Sequence, residues 1–241
     1  MIGGFIITGT SSKPVLLRAL GPSLNSLGLT DTLADPVLEL RGSDGALLLM
    51  NDNWKDDQRS LIEGTVFQPT NDLESVIIAT LPPGAYTGIL SGRNQTSGIA
   101  LLEIYDTDGA VQAQLANIST RGFVEAGNNV MIGGFILGNT NGPARVAVRA
   151  LGPSLGQFGL GNVLADPVLE LHNADGTLLV SNDNWTDDPV SAADLLVNGL
   201  APSKTVESGI FTSLPAGQFT AILAGKNGGV GIGLVEIYNL K

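Results

Sequence analysis

The chain has 241 residues, a formal net charge of −11, only 15% charged residues, one His and no Cys. The absence of Cys excludes disulfides and Cys-ligated zinc, and a single His leaves little room for His-rich metal sites. Because the chain is acidic and has no basic cluster, nucleic acids are poor partners. No apolar run approaches the roughly 18 residues of a membrane-spanning helix, so we expect a soluble protein without membrane insertion.

Taken in chain order, the sequence predicts short β-strands separated by Gly, Pro, Asn and Asp turns, and it runs through the same series of motifs twice. The segment Arg18–Leu24 returns unchanged as Arg149–Leu155, and Leu33–Leu40 returns as Leu164–Leu171. The loop Asn51-Asp-Asn-Trp54 returns as Asn182-Asp-Asn-Trp185. The chain is therefore a tandem duplication of one domain-sized unit.

In the second copy the predicted strands span roughly 119–125, 130–138, 144–151, 167–172, 177–182, 205–213, 217–225 and 231–239. Helical spacing occurs over Val190–Val197, with a counterpart at Arg59–Glu63. These patterns predict an all-β fold of two tandem antiparallel β-sandwich domains, jelly-roll-like, each with one short helix. We place the first domain at residues 1–112 and the second at residues 113–241.

The two copies do not begin alike, because the strand and turn of Asn117–Val130 have no counterpart before Met1. The first domain is therefore predicted to lack its opening strand. A missing strand leaves a row of unpaired backbone groups that another strand can fill. Two interpretations stay open: the chain is a fragment of a longer repeat array, or a neighbouring chain fills the slot in a head-to-tail assembly.

The motifs in their order are Met-Ile-Gly-Gly-Phe-Ile, Arg-Ala-Leu-Gly-Pro-Ser-Leu, Leu-Ala-Asp-Pro-Val-Leu-Glu-Leu, Asn-Asp-Asn-Trp and Leu-Pro-x-Gly. This order resembles the repeats found at the C-terminal ends of large secreted proteins of environmental bacteria. The stretch from Asp35 to Tyr86 is also similar to the bacterial pre-peptidase C-terminal domain, a calcium-associated β-sandwich of secreted proteases. Both resemblances imply export to the extracellular space or the bacterial cell surface, and neither implies catalysis by the module itself.

Each acidic loop places several oxygen donors within seven residues, which suits Ca²⁺ although the spacing is not that of an EF-hand. One interpretation makes these residues calcium ligands. The other makes them Asx turns and helix caps, with Asp187 or Asp188 capping the helix that begins near Pro189. The candidate ligands are Asp52, Asn53, Asp56, Asp57, Asp183, Asn184, Asp187 and Asp188.

Three further kinds of residue are notable. Trp54 and Trp185 are either stacking platforms for sugars or, as we favour, core lids whose indole N–H bonds a backbone carbonyl. Arg18 and Arg149 lie in apolar strands and need carboxylate partners; the candidates are Asp35, Glu39 and Glu103 in the first copy and Asp166, Glu170 and Glu236 in the second. The recurring Glu39, Glu74 and Glu103 are assigned to the solvent face of their strands.

These observations predict a non-enzymatic extracellular structural module that self-associates head-to-tail by strand complementation, as a surface or filament subunit. The alternative is a calcium-dependent carbohydrate- or surface-binding accessory module. Catalysis is not predicted, because the single His172 aligns with Arg41 and no serine has a neighbouring base.

Overall fold

The computed structural model describes residues 1–138 and 142–240, and the chain divides into two compact units, Met1–Ala116 and Asn117–Lys241. The first unit contains one short helix, α1 (Arg59–Ile62). Its strands are β1 (Ile2–Gly9), β2 (Lys13–Leu20), β3 (Pro36–Arg41), β4 (Leu47–Asn51), β5 (Ser75–Leu81), β6 (Gly84–Gly92) and β7 (Leu101–Asp106).

The described residues of the second unit form α2 (Pro189–Val197) and eight strands, the first of which begins just before the unit boundary. They are β8 (Ala113–Val124), β9 (Met131–Leu137), β10 (Ala144–Leu151), β11 (Pro167–Asn173), β12 (Leu178–Asn182), β13 (Ser208–Leu214), β14 (Gly217–Gly225) and β15 (Gly231–Leu240). The predicted strands of this copy agree with these bounds to within one or two residues except at two starts: β8 begins at Ala113 rather than near residue 119, and β13 begins at Ser208 rather than near residue 205.

The second unit is a jelly roll. One antiparallel sheet has the order β13-β10-β15-β8, and the other has the order β12-β11-β14-β9. The first strand thus lies beside the last, and the second beside the seventh, as in a jelly roll of eight strands. Side chains from both sheets form one core, which includes Val124, Val146, Val148, Leu169, Leu171, Ala221, Leu223, Val235 and Ile237. The predicted all-β sandwich fold is confirmed.

The first unit has the same strand order with one strand fewer. Its sheets are β5-β2-β7 and β4-β3-β6-β1, so the position that β8 holds in the second unit has no equivalent strand in the first. Its core is formed by side chains of both sheets, among them Phe5, Ile7, Val15, Leu17, Ala19, Leu38, Leu40 and Leu90.

Both units contain the same central strand followed by the same glycine turn. The strands β2 and β10 are the central strands of their sheets, and five of the eight residues in each are buried. Each is followed by a Gly-Pro-Ser turn that starts a short 3₁₀ helix. A Cβ on Gly21 would lie 2.1 Å from the carbonyl oxygen of Leu33, and one on Gly152 would lie 2.1 Å from that of Leu164. Only glycine therefore fits at the start of this turn.

Candidate functional site

The candidate site is the edge of β7 in the first unit. β7 pairs antiparallel with β2 and forms the edge of its three-stranded sheet. Its counterpart in the second unit, β15, lies between β10 and β8. Over the whole length from Gly231 to Tyr238, β15 pairs antiparallel with β8 from Val124 back to Asn117. The same edge is therefore covered in one unit and open in the other.

The partner strand changes the length of the edge strand. β15 spans ten residues, whereas β7 spans six. Three of the four additional residues lie at the start, where Gly231–Gly233 pair with residues of β8. In the first unit the counterpart residues 98–100 lie outside β7, and Ile99 forms only an isolated parallel bridge with Thr32. The edge strand is thus longer in the unit where β8 pairs with it.

The open edge also exposes part of the core. In the second unit Val235 and Ile237 are 0% and 5% exposed. Their counterparts, Leu102 and Ile104, lie opposite the buried Ala19 and Leu17 of β2 and therefore face the same core, yet both are only half-buried. The neighbouring Leu101 is 41% exposed. A covering strand would remove this apolar surface from water.

β8 shows what such a covering strand supplies. Val124 is fully buried in the core of the second unit, and Ile118 packs against that core from the same strand. Asn117 is also buried, and its side-chain Nδ2 donates a hydrogen bond to the carbonyl oxygen of Ile237 at 3.0 Å. The strand thus contributes backbone hydrogen bonds to the sheet, apolar side chains on one face, and a side-chain hydrogen bond at one end.

The acidic loops are held together mainly by their own hydrogen bonds. The Nδ2 of Asn53 donates to Asp56 Oδ2 at 3.1 Å, and Asn184 makes the equivalent bond to Asp187 at 3.2 Å. Asp188 is the N-cap of α2, where its Oδ1 accepts a hydrogen bond from the backbone N–H of Val190 at 2.9 Å. The helix-cap interpretation is thus confirmed for Asp188.

Asp52 and Asp183 instead pair with cations. Asp52 binds Arg93, and the equivalent Asp183 binds Lys226, whose pKa this contact raises. Asp35 lies next to the first of these pairs. Desolvation, together with the charge of Asp52, raises the pKa of Asp35, and Arg93 partly opposes that rise. Sequence reasoning considered Asp35 only as a partner for Arg18 and did not place it beside the acidic loop.

The acidic side chains among the predicted calcium ligands form no metal-binding group of three in the described part of the chain. Within residues 1–138 and 142–240, no group of three or more His, Asp or Glu side chains is arranged to hold a metal ion. Asp57, unlike Asp188, does not cap a helix, because Gln58 occupies the N-cap position of α1. Several buried oxygens in these loops nevertheless have no hydrogen-bond donor, namely one each of Asp35, Asp52, Asn53, Asp166 and Asp183.

Trp54 is buried in the core of its unit, and Arg18 and Arg149 form ion pairs within their own units. Trp54 is 1% exposed, as expected of a core lid, but its indole Nε1 has no hydrogen-bond acceptor among the described residues, so the predicted bond to a carbonyl is wrong. Arg18 pairs with Glu103 through Nε, and Arg149 pairs with Glu236. Of the three candidate partners, the strand neighbour was the correct one in each copy. It lies directly opposite the arginine in the ladder.

In each copy a tyrosine hydroxyl forms a hydrogen bond with the glutamate of this ion pair. The hydroxyl of Tyr105 donates to Glu103 Oε1 at 2.6 Å, and that of Tyr238 donates to Glu236 Oε1 at 3.0 Å. Burial, followed by the neighbouring carboxylate, raises the pKa of each tyrosine to about 12. The groups therefore act as a fixed cluster on the outer face of β7 and β15 rather than as acids or bases near neutral pH.

The assignment of Glu74 to a solvent face is wrong. Glu74 and its counterpart Glu207 are both 0% exposed. Oε1 of Glu74 accepts hydrogen bonds from the backbone N–H groups of Gly21 and Ser23, at 3.1 and 2.9 Å, and from the Ser23 hydroxyl at 2.5 Å. The Gly-Pro-Ser turn thus binds a carboxyl side chain of the same unit through its backbone N–H groups and its serine hydroxyl.

Comparisons with known proteins give no family. No protein-family model and no curated protein matches the sequence. A structure of the Sulfolobus turreted icosahedral virus is similar over 99% of this chain and 88% of that chain, with 13% identity and a TM-score of 0.31. The major capsid protein P2 of bacteriophage PM2 is similar over 100% of this chain and 93% of that chain, with 10% identity and a TM-score of 0.26. The jelly-roll assignment rests on the strand order, not on these similarities.

Proposed function

We propose that this chain is a non-enzymatic structural module that associates with further repeats of its own kind through the open edge of β7. The observation that carries the proposal is the difference between the two units. The edge of β15 is covered by a strand, and the equivalent edge of β7 is not. An open strand edge with apolar side chains is a template for pairing with another chain. We place the module outside the cell or on the bacterial cell surface, on the strength of the motif resemblance.

The non-enzymatic part of the proposal is supported by the roles of the polar groups. His172 contacts Glu170 and the carbonyl oxygen of Gly176 in an exposed hairpin. Glu103 and Glu236 are held by arginines, and Glu207 by the turn at Gly152. Each of these groups therefore has a structural partner within its own unit. No described helix is long and apolar enough to cross a bilayer.

Sedimentation velocity over a concentration series, in about 0.15 M salt to screen the charge of −11, tests the proposal. We expect the wild-type chain to associate as its concentration rises, and the Ile104→Lys variant to stay monomeric. Ile104 points inward but is half-buried at the open edge, so a lysine there can extend into water. A strand that covered this position would bury the lysine ammonium without a partner, which costs free energy. Inward-pointing lysines block edge pairing in natural sheets for this reason.

Two control variants sharpen the test. Leu48 is 44% exposed on β4, which is an edge strand of the other sheet of the same unit, so Leu48→Lys should leave association unchanged. Ile237→Lys places the same charge under β8 and should destabilise the second unit by more than about 3 kcal/mol. A wild-type chain that stays monomeric at high concentration, or an Ile104→Lys variant that associates like wild type, would refute the proposal.

The alternative, a calcium-dependent surface- or carbohydrate-binding module, has one observation in its favour. The carboxylates of Asp35 and Asp52 lie close enough to interact, and each has a buried oxygen without a donor. In the second copy Lys226 spans the equivalent Asp166 and Asp183. Calorimetry with calcium and with a chelator tests the idea. Calcium binding requires a higher melting temperature with the ion present, and equal melting temperatures would refute it.

A further inference from the structure

We propose that the strand accepted by β7 is an extended segment with the sequence pattern of Asn117–Val124, bound antiparallel in the register that β8 has on β15. In this register the first residue of the segment lies opposite Tyr105 and its last residue lies opposite residue 98. The proposal rests on the proposed function of the β7 edge and adds the chemistry and alignment of the partner.

The register follows from the equivalence of the two edges. In the second unit Asn117 lies opposite Tyr238, Ser119 opposite Glu236 and Arg121 opposite Leu234. The strands beneath are aligned in the same way, since Arg18 lies opposite Glu103 in the first unit and Arg149 opposite Glu236 in the second. The arginine, glutamate and tyrosine cluster is also the same in both units. From Leu101 to Tyr105, a strand added to β7 therefore meets the same ladder and the same outward side chains as β8 meets on β15.

The inward face sets the side-chain requirements. Leu102 and Ile104 lie on the core face of β7, and a Cβ added to Gly88 of the opposite sheet would lie 3.3 Å from a methyl group of Leu102. The added strand must therefore place apolar or small side chains at its positions equivalent to Ile118 and Val124. A charged side chain there would be buried without a partner.

The end of the segment adds a polar requirement. In the second unit the amide of Asn117 donates to the carbonyl oxygen of Ile237. The equivalent acceptor in the first unit is the carbonyl of Ile104. An asparagine at the first position of the added segment would bond this carbonyl and fix the register, because a shift by one residue would move every side chain to the opposite face.

Site-directed disulfide trapping with a synthetic peptide of residues 117–124 tests the inference. The chain has no Cys, so single cysteines report unambiguously. We expect the Leu101→Cys chain to form a disulfide with a peptide carrying Arg121→Cys, and to lose this product with peptides carrying Ser119→Cys or Phe123→Cys. As a geometric control, Leu234→Cys and Arg121→Cys together in one chain should form the intramolecular bond, since these residues lie opposite each other.

A peptide with Arg121→Cys that also carries Ile118→Asp and Val124→Asp should not cross-link, because both charges would enter the core. Equal trapping of this peptide, or stronger trapping at position 119 or 123, would overturn the register and the pattern. If Ile104→Lys abolishes association of the chain but no peptide is trapped, the proposed function stands and this inference falls. If the peptide is trapped at position 121 while the wild-type chain stays monomeric, the inference stands and self-association falls.

Discussion

At the scale of single residues, the two copies perform the same structural tasks with different side chains. Arg41 bonds Glu39 and the carbonyl oxygen of Gly45, and His172 makes the equivalent contacts in the second copy. Comparing the repeats by sequence aligns these residues, but it does not show which neighbour each one contacts. The difference has a consequence, since arginine is charged at all relevant pH values and histidine is not.

His172 should make the stability of the second unit depend on pH near neutrality. The hydrogen bond with Glu170, followed by that with the Gly176 carbonyl, raises the pKa of His172 above its ordinary value of 6.5. The stabilisation is therefore complete below the ordinary pKa and is lost as the pH rises through the raised pKa in the folded state. An NMR titration of the single histidine should give a pKa above 6.5.

The variant His172→Arg introduces the residue of the first copy and should remove this pH dependence, because the arginine pairs with Glu170 at every pH. Thermal melts of both proteins between pH 6 and pH 8 provide the comparison. A histidine pKa at or below 6.5, or the same pH dependence in His172→Arg, would contradict the assignment.

Gly233 provides a second test at this scale. A Cβ on Gly233 would lie 2.8 Å from a methyl group of Leu223 and 3.1 Å from one of Val124 on β8. Gly233→Ala should therefore destabilise the second unit by about 1–3 kcal/mol through overpacking. In the Gly233→Ala background, Val124→Ala should cost less than it costs alone, because the smaller side chain relieves the contact. Denaturant unfolding of the four proteins of this double-mutant cycle measures the coupling, and strictly additive effects would contradict it.

At the scale of elements, periodicity and turn residues predicted the second copy's strands and α2 well, because most of these segments are bounded by Gly, Pro, Asn or Asp. The start of β8 was missed. Its first residues, Ala113-Gln-Leu-Ala116, have little strand propensity and belong to the first unit. The assignment of Glu74 to a solvent face was wrong for a different reason. Alternation along the chain reveals only local neighbours, whereas Glu74 is buried by donors of the distant turn at Gly21.

Helix α2 depends on its N-cap. Asp188 accepts hydrogen bonds from Val190 and Ser191, and Pro189 occupies the first turn. Asp188→Ala should cost about 1 kcal/mol in unfolding free energy, whereas Asp188→Asn should retain most of the stability. Asp187→Ala is the matched control, because Asp187 contacts only the loop residue Asn184. Denaturant unfolding that ranks Asp187→Ala as the more costly change would contradict the capping role.

At the scale of the whole molecule, the tandem repeat was the strongest sequence signal. It predicted two similar β-sandwich domains and the unit in which a strand is missing. One copy serves as a reference for the other: β15 lies beside β8 in the second unit, and the equivalent edge of β7 is open in the first unit. The half-burial of Leu102 and Ile104 could not be predicted from the sequence. Both are as apolar as their buried counterparts Val235 and Ile237, and their exposure depends on neighbouring strands that are distant in the sequence.

Amide hydrogen exchange of β7 and β15 tests the central claim most directly. In a dilute monomer, the amides of β7 that point away from β2 should exchange rapidly, while the equivalent amides of β15 should be protected by β8. Raising the concentration to the range of association should then protect the β7 amides. Equal, slow exchange of both strands in the dilute monomer would mean that the β7 edge is not open, and it would contradict the account.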